Sequence, residues 1–204
     1  MKKFLIIPFF IIIIISGVFT GVEVISSTKS KNIPPTPLPN KTQQPSPTKP
    51  PQQASEVIGI PERVSIPAIN VDTTIEQVAL DAKGNMDVPK TDHTVAWYKL
   101  GYKPGEKGSA VFAGHLDKAD GSPAVFWKIS DLKAGDKIIT TDVNGKSQTF
   151  TVTRITKYPY DAFPLNEVFG SSNKAKLNLI TCNGTWDSST KIYSHRLVVY
   201  SEIE

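Results

Sequence analysis

Between residues 34 and 51 the chain sets Pro34, Pro35, Pro37, Pro39, Pro45, Pro47, Pro50 and Pro51 among Ser, Thr, Gln, Asn and Lys. Proline fixes φ and lacks an amide donor, so neither a helix nor a sheet ladder runs through such a stretch. Its polar filling buries too little apolar surface to offset the entropy of ordering. The segment therefore divides the chain into an N-terminal and a C-terminal part. Residues 23–56 are expected to form a disordered Pro-rich stalk, biased toward polyproline II at about 3.1 Å per residue.

On its N-terminal side, residues 4–22 carry no charge and follow Lys2 and Lys3. About 20 apolar residues span a bilayer, and flanking positive charge keeps that end cytoplasmic. A cleaved signal peptide is the competing reading. The run is longer than a usual apolar h-region and no clear Ala-x-Ala site follows it, which favours an uncleaved signal anchor. The expectation is a transmembrane helix within 1–22, a single-pass protein at the cell membrane, and an extracellular domain beyond the stalk.

Six of the 23 basic residues and two of the 19 acidic ones lie in 1–56, leaving 17 of each sign in 57–204. The basic balance thus belongs to tail and stalk. The neutral remainder argues against a nucleic-acid partner.

Residues 57–204 are long enough for one domain with its own core, and their pattern is all-β. Short apolar or alternating runs stand at Arg63–Ile66, Ser109–Gly114, Lys137–Val143, Gln148–Ile155, Leu177–Cys182 and Arg196–Tyr200. Asn144-Gly145 between two of them is a strong hairpin signal. Helical signals are brief, over 123–129 and 164–169. Many short strands separated by turns point to a barrel or sandwich.

The only cysteine, Cys182, closes one of these runs just before Asn183-Gly184. In an exported chain it has no disulfide partner within the sequence. It is then either a small buried hydrophobe or a working thiol. His115 ends another apolar run after Gly114, a comparable setting. His93 lies in a polar loop, and His195 precedes Arg196. Arg63, Arg154 and Arg196 are the only arginines against 20 lysines. An arginine in a lysine-preferring chain supplies a planar fork of donors that lysine lacks. No acidic cluster supports a calcium site, so no metal and no cofactor are expected.

Ala113-Gly114-His115, then Leu179-Ile180-Thr181-Cys182, then Arg196 resembles the sortase family of membrane-anchored cysteine transpeptidases. The likeness extends over most of 57–204. Val64 to Asp72 is similar to the family's opening strand. Trp97-Tyr98, followed by Pro104-Gly105-Glu106-Lys107-Gly108 and on to His115-Leu116-Asp117, is similar to the central block of class F-type sortases. Asn178 stands where the family pattern usually has Thr.

The resemblance implies an eight-stranded β-barrel with short helices. It also implies a catalytic set of His115, Cys182 and Arg196, with Thr181 contacting substrate. Cys182 would attack a peptide carbonyl to give a thioacyl enzyme, with a nearby cation favouring its thiolate. His115 would exchange protons with leaving and incoming amines, and Arg196 would hold the developing oxyanion. Implied partners are exported proteins bearing a C-terminal Leu-Pro-x-Thr-Gly-like sorting signal, and an amine of cell wall or pilin. Papain-like peptidases place Cys before His, the reverse of the order here, and the Ser-His-Gly-Cys motif of L,D-transpeptidases is absent. Two alternatives stay open: a non-catalytic anchored β-barrel binding module, and a sortase-fold cysteine peptidase that mainly hydrolyses.

Overall fold

Asn144-Gly145 makes the turn its sequence demands. Gly145 takes φ 77°, and the Asp142 carboxylate accepts from the amides of Asn144 and Lys146 at 2.9 and 3.0 Å. The turn joins β5 (Lys137–Asp142) to β6 (Ser147–Pro159). The computed structural model describes residues 57–204. The expected anchor and stalk lie outside these residues. No helix among the described residues is long and apolar enough to cross a membrane.

The remaining strands are β1 (Pro61–Ile66), β2 (Val71–Val78), β3 (Val95–Tyr98), β4 (Gly108–Ala113), β7 (Ala175–Asp187) and β8 (Ile192–Ile203). They close a barrel in the order β1-β2-β3-β4-β7-β8-β6-β5. The β2–β3 and β4–β7 pairs are parallel and the others antiparallel. Among the described residues helix is scarce: α1 (Leu165–Phe169) and three single 3-10 turns at Pro67–Ile69, Ile129–Asp131 and Tyr160–Ala162.

Alternation assigns the two faces of the wall. Ala110 and Phe112 of β4, Leu177 and Leu179 of β7, and Leu197 and Val199 of β8 point into the main core with Phe126 and Phe150. Their neighbours Val111, Ile180, Val198 and Tyr200 point outward, into a second cluster roofed by Val168 and Phe169 of α1. Asn178 also serves that roof, donating to the Val168 carbonyl at 2.7 Å.

Several sequence expectations change in detail. The run from Val64 to Asp72 is two strands rather than one. Pro67 cannot donate to a ladder, and the chain turns through Pro67–Ile69 and a left-handed Asn70, φ 55°. The helix expected over 123–129 is absent apart from the 3-10 turn that begins at Ile129. That stretch instead folds back onto the residues after β4: Phe126 N donates to His115 O at 2.9 Å, Ala124 N to Leu116 O at 3.1 Å, and Asp117 bridges Pro123. Asn183-Gly184 does not end β7. The strand shifts register between Asn183 and Trp186 and continues to Asp187.

Candidate active site

β4 stops at Ala113, while its neighbour β7, and β8 beyond it, run on past the barrel rim. Cys182 stands where they emerge. Although inside a strand, it has lost the neighbour on one side, and it is half-buried. Two strands and the chain leaving a third bring three residues to this point. Ala113 pairs with Ile180 in the parallel β4–β7 ladder. Carrying that register two residues further sets His115 level with Cys182. Across the antiparallel β7–β8 ladder, Cys182 pairs directly with Arg196. Cys182 and Arg196 thus stand side by side on adjacent strands, about 4.8 Å apart in the ladder direction, and His115 follows two residues after the end of β4 to complete the row. Within their strands Cys182 and Arg196 share the outward parity of Ile180 and Val198.

Each member of the row is held. His115 Nε2 lies 2.9 Å from the Pro89 carbonyl. A carbonyl only accepts, so Nε2 carries the proton and Nδ1 is left for proton exchange. Arg196 donates through Nη1 to the carbonyls of Tyr193 and His195, at 3.2 and 3.0 Å. Its guanidinium carbon lies 4.7 Å from the centre of the Tyr160 ring. Nε and Nη2 remain for a ligand.

The thiol itself is pulled both ways. Burial pushes the Cys182 pKa up, the Arg196 guanidinium pulls it down, and the Asp117 carboxylate pushes it up again. The net shift is upward, with Arg196 acting in the direction expected of a neighbouring cation.

Thr181 lies on the other face. It shares inward parity with Leu177 and Leu179, is 2% exposed, and donates its hydroxyl to the Gly114 carbonyl at 2.8 Å. Its side chain faces the core and braces the residue before His115. His93 and His195 stand off the row. His93 is exposed beside Asp92, while His195 pairs with Asn183 and its Nδ1 contacts Ser194 Oγ at 2.8 Å.

A shallow depression of about 400 Å³ opens beside His115, lined also by Lys90, Thr91, Asp92, Asp117 and Lys118. Among the described residues no group of three or more His, Cys, Asp or Glu side chains gathers as a metal site.

The sortase domain model matches residues 64–204, most of the chain. The chain belongs to the sortase family. Sortases are cysteine transpeptidases, and this one has a single cysteine. Solved structures agree on the fold. Sortase A from Corynebacterium diphtheriae matches at 24% identity and TM-score 0.56, over 71% of this chain and 60% of that one. Sortase C-1 from Actinomyces oris matches at 22% and 0.55, over 70% and 72%. Listeria monocytogenes sortase A matches at 20% and 0.54, over 72% and 88%. The chain therefore spans less than two thirds of the diphtheria enzyme's length. No curated protein matches it.

Three contributors to this sortase's site escaped the sequence reading: Asp117, Tyr160 and Tyr193. Tyr193 donates its hydroxyl to Asp117 Oδ2, a partner 76 positions away. The only hint of Asp117 was its place two residues after His115. Nothing in the sequence marked the tyrosines.

Proposed function

We propose that this chain is a membrane-anchored sortase-type transpeptidase. It cleaves a Leu-Pro-x-Thr-Gly-like sorting signal after Thr and transfers the acyl group to an amine of cell wall or pilin. The reading rests on the row of His115, Cys182 and Arg196 in a chain of this family. Its central block is of class F type. Residues 1–22 anchor it, 23–56 form the stalk, and 57–204 act outside the cell on exported proteins.

The steps follow from the held groups. As Sγ attacks the carbonyl carbon the thiol proton leaves, and His115 Nδ1 takes it. The carbonyl electrons move onto oxygen, where the Nε and Nη2 donors of Arg196 meet the developing charge. The C–N bond then breaks, and the departing amine takes the proton from His115. This leaves a thioester on Cys182. The incoming amine attacks the thioester, gives a proton to His115, and expels the sulfur, which recovers that proton. Backbone carbonyls and the Tyr160 ring fix the direction of the guanidinium, so a planar fork is needed and not charge alone.

The test uses a quenched fluorescent sorting-motif peptide with and without a Gly-Gly acceptor. Cys182→Ala abolishes cleavage, and His115→Ala nearly does. Arg196→Lys falls about a hundredfold, the scale of losing an oxyanion donor, while His93→Ala and His195→Ala keep most activity. Transfer product with Gly-Gly separates transpeptidation from hydrolysis. Full cleavage by Cys182→Ala would refute the assignment, and no cleavage of any sorting-motif peptide by the wild-type chain would favour a binding module.

A further inference from the structure

We propose that Tyr193 is a positioning residue for this reaction, fastening the His115 segment and Arg196 on either side of Cys182. The inference rests on the transpeptidase reading above and names a further part of the same site.

The two ends of Tyr193 hold different things. Its hydroxyl donates to Asp117 Oδ2, and its backbone carbonyl accepts from Arg196 Nη1 at 3.2 Å. Its ring leans on Trp186, with centroids 5.1 Å apart, across the β7–β8 extension beyond the rim. Tyr193 is thus fixed to the same pair of strands that carries Cys182 and Arg196.

Asp117 belongs to a stiff segment. From His115 to Phe126 the chain is a short hairpin, with backbone bonds from Phe126 to His115, from Ala124 to Leu116 and from Lys118 to Ser122. Holding Asp117 therefore holds His115, two residues earlier. Without the Tyr193 hydroxyl, this hairpin loses that side-chain hydrogen bond to the β7–β8 extension. The catalytic histidine would then depend on the Pro89 carbonyl and the braces at Gly114.

Charge strengthens the link. The carboxylate acceptor favours the protonated phenol and pushes the Tyr193 pKa up to about 12, so the hydroxyl donates throughout the neutral range. Asp117 is also close enough to Cys182 to oppose Arg196 at the thiol. A free Asp117 carboxylate would be at liberty to turn toward the sulfur. In its bound position its direction and part of its charge are engaged by Tyr193.

The experiment is a double-mutant cycle in the full chain, using Tyr193→Phe, Asp117→Ala and the pair. Tyr193→Phe keeps the ring and its contact with Trp186. It should lower kcat about tenfold, the scale of one charge-assisted hydrogen bond, with KM and Tm little changed. Asp117→Ala should do the same, and the double variant should fall no further than the worse single one. Asp117→Asn retains an acceptor for Tyr193 and should recover much of the loss. It removes the negative charge, so the pH curve for iodoacetamide labelling of Cys182 should move to lower pH. A merely structural contact would lower Tm in Tyr193→Phe, where a positioning contact lowers kcat at unchanged KM and Tm. Wild-type kcat in Tyr193→Phe, or losses that multiply in the double variant, overturns the proposal. If Tyr193→Phe fails to fold, wild-type kcat in Asp117→Ala overturns it alone. Cys182→Ala run alongside separates the two levels: if it too keeps full activity, the transpeptidase reading fails first.

Discussion

The Cys182 thiol feels burial, one cation and one anion, and burial is the largest of these. Its pH response therefore reports the site without any substrate. Alkylation requires the thiolate. A raised pKa means that labelling by iodoacetamide is slow at neutral pH and still climbs where a free thiol has levelled off. Arg196 acts to lower the pKa, so Arg196→Ala should move the labelling curve further up the pH axis. Arg196→Lys retains the positive charge and should move it less, even though acyl transfer is badly impaired. A stopped labelling series across pH checks both. No movement in Arg196→Ala would mean that the guanidinium is not felt by the sulfur, and the charge argument would fall. Separating the charge of Arg196 from its shape in this way matters because only the shape is asked to serve the oxyanion.

Between residue and barrel, the element that matters most is the end of β4, where Gly114 passes the chain to His115. A Cβ built on Gly114 would lie 2.5 Å from Cδ2 and 2.7 Å from Cε2 of Phe126. Phe126 is fully buried in the main core, so its ring has nowhere to go. Gly114 is also tied by its amide to Ile180 at 3.1 Å and by its carbonyl to Thr181. Gly114→Ala should therefore cost about 1–3 kcal/mol in urea unfolding, as overpacking does, and should displace His115 enough to reduce turnover. Wild-type stability would show that the glycine is not there for close approach. Much at this scale was legible in advance. Asn144-Gly145 announced its hairpin, and short apolar or alternating runs marked β1 and β4 to β8. Once Leu177 and Leu179 are known to face inward, parity alone sends Thr181 in and Cys182 out. What stayed hidden has physical reasons. β3 is four residues with no polar alternation, and the polar Thr73, Thr74, Glu76 and Gln77 disguise β2. Asn183-Gly184 looks like a turn because a bulge also uses a residue at positive φ, here Gly184 at 85°. The Tyr193–Asp117 bond joins residues whose proximity exists only after the barrel has closed.

At the scale of the whole chain the question is what residues 1–56 contribute. The barrel closes on itself through β1 and β5, so β1, the first strand after residues 1–56, is paired on both sides and needs no further segment to cover it. Its main core draws on every strand of the barrel, and its one cysteine leaves no disulfide to form. The lead-in to β1 is held from Ile58 onward: the Ile58 carbonyl accepts from Lys103 Nζ at 2.9 Å, and the Gly59 amide donates to Asp142 at 3.0 Å. A chain beginning at Val57 keeps all of these contacts. It should be soluble, give a mainly β circular dichroism spectrum without added metal, and cleave the peptide at the rate of the full chain. The full chain, by contrast, should sediment with membranes through its uncharged run after Lys2 and Lys3. Protease added to intact cells stripped of their wall should destroy residues 57–204. Protection of the domain would reverse the topology, and a full chain that stays in the supernatant would remove the anchor. An aggregated or helical product from Val57 would show that residues 1–56 do more than carry the barrel away from the bilayer.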